Sequence, residues 1–453
     1  MPIRSLLLLA AALCAAAPAY AQKWTTSWAA SVQGPYPVGN ATAQPELRFA
    51  LPTQDTGAKD QTFRLILKPE LWSNKMRLRF SNAYGTKAVT FDGVFAGLQM
   101  SGAALVPGSN RPVSFAGRRS VSVPPGGQVW SDAVTLPWVA NPAGPELLGR
   151  KLAVSFHVAG ETGPLTWHAK ALQTSYITAP GAGALGELED EGAFPNSTTS
   201  WFFVDALDAQ AAPDNGLVVC FGDSITDGTS STLNGDDRWP DVLARRLRAS
   251  GSQMSVVNAG IGGNQVVGPA EYGPAKPFPG GPAAVARLER DVLSLSGVTH
   301  VIWLEGINDL GTAGNASVDQ IRDGMRAGVK RLRDKLPGVR VIGATLTSIV
   351  GTTSPAHAPP EVEQKRRALN EFIRNNGGLF DGVADFDKAT IDPQTGAMRA
   401  EFIPGSTIGG PGDGLHPNRA GYLAMGEAVD LRLMGTAPRR PRTAPAGAAR
   451  RKG

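Results

Sequence analysis

Apolar residues follow two rhythms along this chain. From Lys23 to about residue 208 they fall in short segments, at 62–67, 76–80, 89–95, 152–158 and 200–204, rich in β-branched, aromatic and other apolar residues. Turn signals such as Ala83-Tyr84-Gly85 and Pro124-Pro125-Gly126-Gly127 lie between them, and no long stretch carries a 3.6-residue apolar period. That pattern predicts strands rather than helices, and so an all-β sandwich or jelly-roll domain over residues 22–208. Between 206 and 215 the chain turns small and polar, with Pro213 as a breaker, and a domain boundary is expected there.

The second rhythm alternates. Apolar runs at 217–221, 254–257, 301–304 and 339–342 read as strands. Around them, 238–247, 283–293, 318–332, 361–373 and 418–433 read as helices. Repeated strand–helix units predict a mostly parallel sheet with helices on both faces over residues 214–435. The expected fold class is therefore α/β, a parallel sheet flanked by helices and preceded by an all-β domain.

The two ends belong to neither rhythm. Arg4, the apolar run 6–17 and Ala19-Tyr20-Ala21 have the order of a secretory signal peptide, predicted over residues 1–21. The run is too short to span a bilayer comfortably, so no stable membrane insertion is expected, and the location follows as secreted or periplasmic. Leu13 precedes Cys14 where a lipoprotein signal would carry a small residue. Residues 436–453 form a Pro/Ala/Arg tail, predicted to be disordered, in which Arg439, Arg440, Arg442, Arg450, Arg451 and Lys452 meet no acidic residue. Setting those six charges aside takes the formal net charge from +5 to −1, so the body gives no reason to expect nucleic-acid binding. Of the two cysteines only Cys220 lies outside the signal; no disulfide framework or zinc spacing is present, and no cofactor or metal is expected. The chain as a whole, 453 residues and 42% hydrophobic, has ample material for large cores.

Candidate chemistry sits where strands of the parallel sheet should end. The run 217–221 stops at Gly222, and Ser224 follows two residues later, at the carboxyl end of a strand where open α/β sheets place their chemistry. A helical turn beginning there would favour negative charge developing beside the serine oxygen. The same residues, Asp223 and Ser224, read equally as a helix cap. After the second strand comes Asn258-Ala259-Gly260-Ile261-Gly262-Gly263-Asn264, in which Gln265 takes the place of the third glycine of a dinucleotide fingerprint. Its glycines allow close backbone approach to a reacting group, or form a plain turn. Gly306-Ile307-Asn308-Asp309 follows the third strand, with Asn308 either an oxyanion donor or a turn residue. Near the end, Asp413-Gly414-Leu415-His416-Pro417-Asn418 sets an acid three residues before a histidine, with Pro417 suited to begin a helix. Seven of nine tryptophans lie before residue 208, available for sugar stacking or, more commonly, for packing.

Together these stretches resemble the SGNH, or GDSL, hydrolase family. Gly222-Asp223-Ser224, Gly263, Gly306-Ile307-Asn308-Asp309 and Asp413 with His416 match its four blocks in family order. Arg238-Trp239-Pro240 and Trp24-Thr25-Thr26-Ser27-Trp28 extend the likeness to a secreted subgroup that includes xylanase-associated esterases. The resemblance implies a flavodoxin-like hydrolase fold and an acyl-enzyme mechanism. Ser224 would be the nucleophile, His416 its base and Asp413 the residue that orients the imidazole. Ser224 and Gly263 backbone N–H groups and the Asn308 side chain would form the oxyanion hole. It further implies an acyl-ester substrate, with acetyl esters on polysaccharide the leading expectation. The alternatives are a lipase or lysophospholipase, and a carbohydrate-binding protein with an inactive hydrolase domain. Oligomeric state stays open.

Overall fold

The computed structural model describes residues 23–53 and 55–435. The expected signal peptide and basic tail lie outside the described residues.

The first half is largely β. Its main strands are β1 (Lys23–Ala29), β2 (Lys59–Leu67), β3 (Lys75–Ser81), β4 (Val89–Ser101), β5 (Gln128–Trp130), β6 (Leu152–Glu161), β7 (Ser175–Ile177) and β8 (Val204–Ala211). One antiparallel sheet runs β1-β8-β3-β5, and a second is built on β7-β2-β6-β4. The two share one apolar core, in which Leu78 and Phe80 of the first sheet meet Phe63, Phe91 and Phe156 of the second. Phe63 and Phe156 stack with ring centroids 5.3 Å apart. Strand β8 continues three residues past the expected end at 208, because β1 and β3 pair with it on both sides and its first six residues are buried.

The second half contains a parallel sheet of five strands, β9 (Leu217–Gly222), β10 (Ser255–Gly260), β11 (Val298–Leu304), β12 (Arg340–Ala344) and β13 (Gly382–Ala384). Their spatial order is β10-β9-β11-β12-β13, the 2-1-3-4-5 order of flavodoxin-like sheets. Every residue of β9 is buried, Cys220 among them, as a strand covered on both faces requires. The accompanying helices are α1 (Ser224–Asp227), α2 (Trp239–Ala249), α3 (Ala284–Leu288), α4 (Ile307–Leu310), α5 (Val318–Lys335), α6 (Pro360–Arg374), α7 (Phe386–Thr390) and α8 (Arg419–Ala428). Helices α2, α7 and α8 pack as one group, and α3, α5 and α6 as another.

Two expected helices come out divided. α3 gives way after Leu288 to a wider π turn over Glu289–Leu293. α8 ends at Ala428, and Asp430 caps a separate 3₁₀ turn by accepting from the Arg432 N–H at 2.9 Å. The short strand β13 has too few residues to stand out in the apolar pattern.

The halves are bound by polar contacts as well as by chain. Thr26 N–H donates to the Ser296 carbonyl at 2.9 Å, and Ser296 N–H returns a bond to Thr26 Oγ1 at 2.9 Å. Half-buried Lys68 pairs with Asp241 at 3.1 Å, and the Arg79 guanidinium donates to Ser294 Oγ at 2.7 Å. Arg290 reaches the Tyr84 hydroxyl.

Candidate active site

Three neighbouring strands deliver the site from their carboxyl ends. In register, Gly222 of β9 lies opposite Gly260 of β10 on one side and Leu304 of β11 on the other. Sheet order reverses at β9, so the loops after β9, β10 and β11 open around one crevice.

Ser224 stands at the turn out of β9. A Cβ on Gly222 would strike Thr226 Oγ1 and lie 2.7 Å from the Leu304 carbonyl, so glycine is what permits the tight exit. Asp223 then caps α1 by accepting from the Ile225 N–H at 2.9 Å. Gly228, at φ +107°, ends the helix after one turn. Asp223 thus takes the capping role, and the Ser224 hydroxyl is not used in it.

That hydroxyl meets His416. Ser224 Oγ and His416 Nε2 are 2.7 Å apart, and His416 Nδ1 lies 2.6 Å from Asp413 Oδ2. With Nδ1–H donating to the carboxylate, Nε2 is left to accept from the serine. The other Asp413 oxygen accepts the Leu415 and His416 N–H groups at 2.9 and 2.8 Å. Burial works against the Asp413 charge, but the His416 side chain and those two amides outweigh it and hold the carboxyl well below the usual range. The Asp413 carbonyl is fixed in turn by Thr353 N–H and Thr352 Oγ1, each at 2.8 Å. Asn418 caps α8 two residues beyond His416, accepting from Ala420 and Gly421 N–H groups, so the histidine sits just before a helix start.

The remaining expected residues flank this chain of contacts. Gly263 lies in the loop after β10 at φ +84°, a left-handed conformation that glycine adopts without strain. Asn308 lies in the first turn of α4, after β11, and donates one amide hydrogen to the Asn264 carbonyl at 2.9 Å. Its second amide hydrogen remains for another acceptor. Asp309 holds the same loop, accepting the Val266 and Val267 N–H groups at 2.7 and 3.0 Å. Burial nevertheless pushes its carboxyl up to about 6. Ser224, His416 and Asp413 are in direct contact, and Gly263 and Asn308 occupy the two adjoining loops.

Four further residues bear on the site without having been singled out in the sequence. Arg287, fully buried in α3, donates to the Gly222 and Ala259 carbonyls at 2.8 Å each and to Asn264 Oδ1 at 2.7 Å. It ties β9 to the loop after β10, while Asp291 and Glu305 lie 2.9 and 3.1 Å from its guanidinium. An arginine at i+3 from buried Ala284 and one before buried Leu288 was the available signal, since a charge on an apolar face needs a buried partner. The other three come from the first half. His168 lies 3.1 Å from Asp227, whose second oxygen accepts the Gly262 N–H at 2.8 Å. Lys170 is buried against Thr229 Oγ1, and a Cβ on Gly262 would come within 2.8 Å of its Nζ. Asn40 donates to the Gly262 carbonyl at 2.7 Å. No local pattern marks these three, because their partners are reached only through the tertiary fold.

Burial sets the charge of the carboxyls behind Ser224. Asp223 is pushed up to about 7, its burial outweighing the Ile225 N–H. Glu305 is raised well above the usual carboxyl range, by burial and by the nearby Asp223. Among the described residues no cluster of three or more His, Cys, Asp or Glu could hold a metal ion. No described helix is long and apolar enough to cross a membrane.

Residues 220–424 match the model of the GDSL-like lipase/acylhydrolase family. Similar solved structures include the inhibitor-bound aryl esterase of M. smegmatis, at 18% identity and a TM-score of 0.37, covering 49% of this chain and 100% of that one. A carbohydrate acetylesterase family member from Sinorhizobium meliloti shows 18% identity and a TM-score of 0.37, over 49% of this chain and 99% of its own. The lipase/acylhydrolase from Enterococcus faecalis shows 22% identity and a TM-score of 0.37, over 50% and 99%. No curated protein matches the chain.

Proposed function

We propose that this chain, which belongs through residues 220–424 to the GDSL-like lipase/acylhydrolase family and is an ester-hydrolysing enzyme, works through an acyl-enzyme on Ser224. The observation that carries the reading is the unbroken series Ser224 Oγ, His416, Asp413, with contacts of 2.7 and 2.6 Å. His416 Nε2 takes the hydroxyl proton as Ser224 Oγ attacks the ester carbonyl. The oxyanion is met by the Ser224 and Gly263 N–H groups and by the second amide hydrogen of Asn308. Collapse breaks the bond to the alcohol, which leaves with the proton from His416. Water, deprotonated by the same nitrogen, then releases the acid and restores the serine.

The same reading extends to context. Residues 22–208 act as a sandwich or jelly-roll domain, residues 214–435 as the hydrolase domain, and the enzyme is secreted or periplasmic. Its substrate is a short acyl ester, foremost an acetyl group on polysaccharide. The loops over the crevice support this: 268–282 and 351–360 are dominated by Gly, Pro, Ala and small polar residues and offer no broad apolar lid.

Acetate release from acetylated xylan, measured beside p-nitrophenyl esters of increasing chain length, tests both levels. Release of acetate and preference for short chains are expected. Ser224→Ala should lose on the order of 10⁴–10⁶-fold in kcat while keeping its fold. Hydrolysis confined to long acyl chains would overturn the substrate, and full activity in Ser224→Ala would overturn the mechanism.

A further inference from the structure

We propose that Asn40, supplied by the first half of the chain, is a positioning residue that aims the Gly263 N–H at the oxyanion. The inference rests on the acyl-enzyme reading above and concerns one peptide unit. Gly262 carbonyl and Gly263 N–H belong to the same planar group, and that bond is trans. In a trans peptide the carbonyl and the N–H point in opposite directions, so fixing one fixes the other. Asn40 Nδ2 donates to the Gly262 carbonyl at 2.7 Å. Among the described residues no second donor reaches that carbonyl, and no acceptor meets the Gly263 N–H.

The surrounding loop is held by other means. Gly262 N–H is bonded to Asp227 at 2.8 Å, and the Asn264 carbonyl to Asn308 at 2.9 Å. Asn264 Nδ2 is anchored by the Gly280 and Pro282 carbonyls at 2.7 Å each. These bonds pin the groups on either side of the Gly262–Gly263 peptide and leave its own rotation to Asn40. Gly263 permits the approach: a Cβ there would lie 2.5 Å from Asn40 Nδ2. Donation to the carbonyl also polarises the amide, which strengthens its N–H as a donor on the far side.

Because Asn40 is exposed, its replacement leaves the cores untouched. Kinetics on p-nitrophenyl acetate, with Tm measured alongside, test the proposal. Asn40→Ala should lower kcat roughly 10-fold at unchanged KM, with Tm within about 2 °C of wild type. Asn40→Asp, of the same shape but unable to donate, should fall further, and phenylboronic acid, which mimics the tetrahedral state, should bind both variants more weakly in parallel. Asn40→Gln, which keeps the donor, should recover part of the loss. Wild-type kcat in Asn40→Ala, or a loss seen in Tm alone, would reduce Asn40 to a tie between the halves and end the proposal. Ser224→Ala in the same assay separates the two levels. If it is inactive while Asn40→Ala is normal, only the role of Asn40 falls; if it is active, the acyl-enzyme falls and this proposal with it.

Discussion

Two histidine–aspartate pairs meet the segment that begins at Ser224. In one, His416 gives Nδ1 to Asp413 at 2.6 Å and turns Nε2 to the serine hydroxyl at 2.7 Å. In the other, His168 gives Nδ1 to the Ser31 carbonyl at 2.8 Å and sets Nε2 3.1 Å from Asp227. The first ring turns one nitrogen to a hydroxyl; the second has one nitrogen bound to a carbonyl and the other set against a buried carboxylate. Exposure divides them as well. The side chains of His416 and Asp413 are 13% and 35% exposed, against 4% and 1% for His168 and Asp227. A pair of the same composition thus suits a relay where one edge faces the Ser224 hydroxyl and the crevice, and a brace where both edges face protein. Asp227 shows what is braced, since it also receives the Gly262 N–H.

The sharpest way to break this contrast is to remove the ring proposed to move protons. His416→Ala should lower kcat on the order of 10⁴–10⁶-fold with little change in unfolding free energy. Retention of more than a tenth of the activity would make the Ser224 contact incidental. Next in size is Asp413→Asn, expected to cost about 10⁴-fold in kcat, because the amide would offer a donor to Nδ1 and favour the wrong tautomer. A variant as active as wild type would show that the backbone alone orients His416. Smallest in rate is Asp227→Asn, for which kcat should fall no more than about 10-fold. Its cost should appear in urea unfolding instead, at about 3 kcal/mol, as one member of a buried pair is lost. Loss of activity at full stability in Asp227→Asn would erase the distinction between relay and brace.

Local pattern carried most of the second half. The strand at 217–221 needed only five apolar residues and a glycine stop, and Val318–Lys335 and Pro360–Arg374 showed their apolar stripes plainly. Ser224, Asn308 and His416 were legible because each lies within a few residues of a strand end or helix start. β1 was visible as a tryptophan-rich motif rather than as an alternating strand, since five of its seven residues are buried and the alternation is erased. Asn40, His168 and Lys170 were not legible for a different reason. Asn40 lies 222 residues from its partner Gly262, and nothing near it in sequence records the contact. Arg287 stood between these cases, a misplaced charge on an apolar face whose meaning required the carbonyls of Gly222 and Ala259.

The position of β1 also governs how the chain can be made. Thr26 bonds to Asp208, 182 residues later, and exchanges bonds with Ser296, 270 residues later. During synthesis this strand must therefore wait, its edge unpaired, until β8 has emerged, and longer for its bonds with Ser296. Pairing across such separations is slow, and a waiting edge is where chains associate wrongly. The earliest described segment thus depends on both halves, on β8 for its ladder and on Ser296 for its docking.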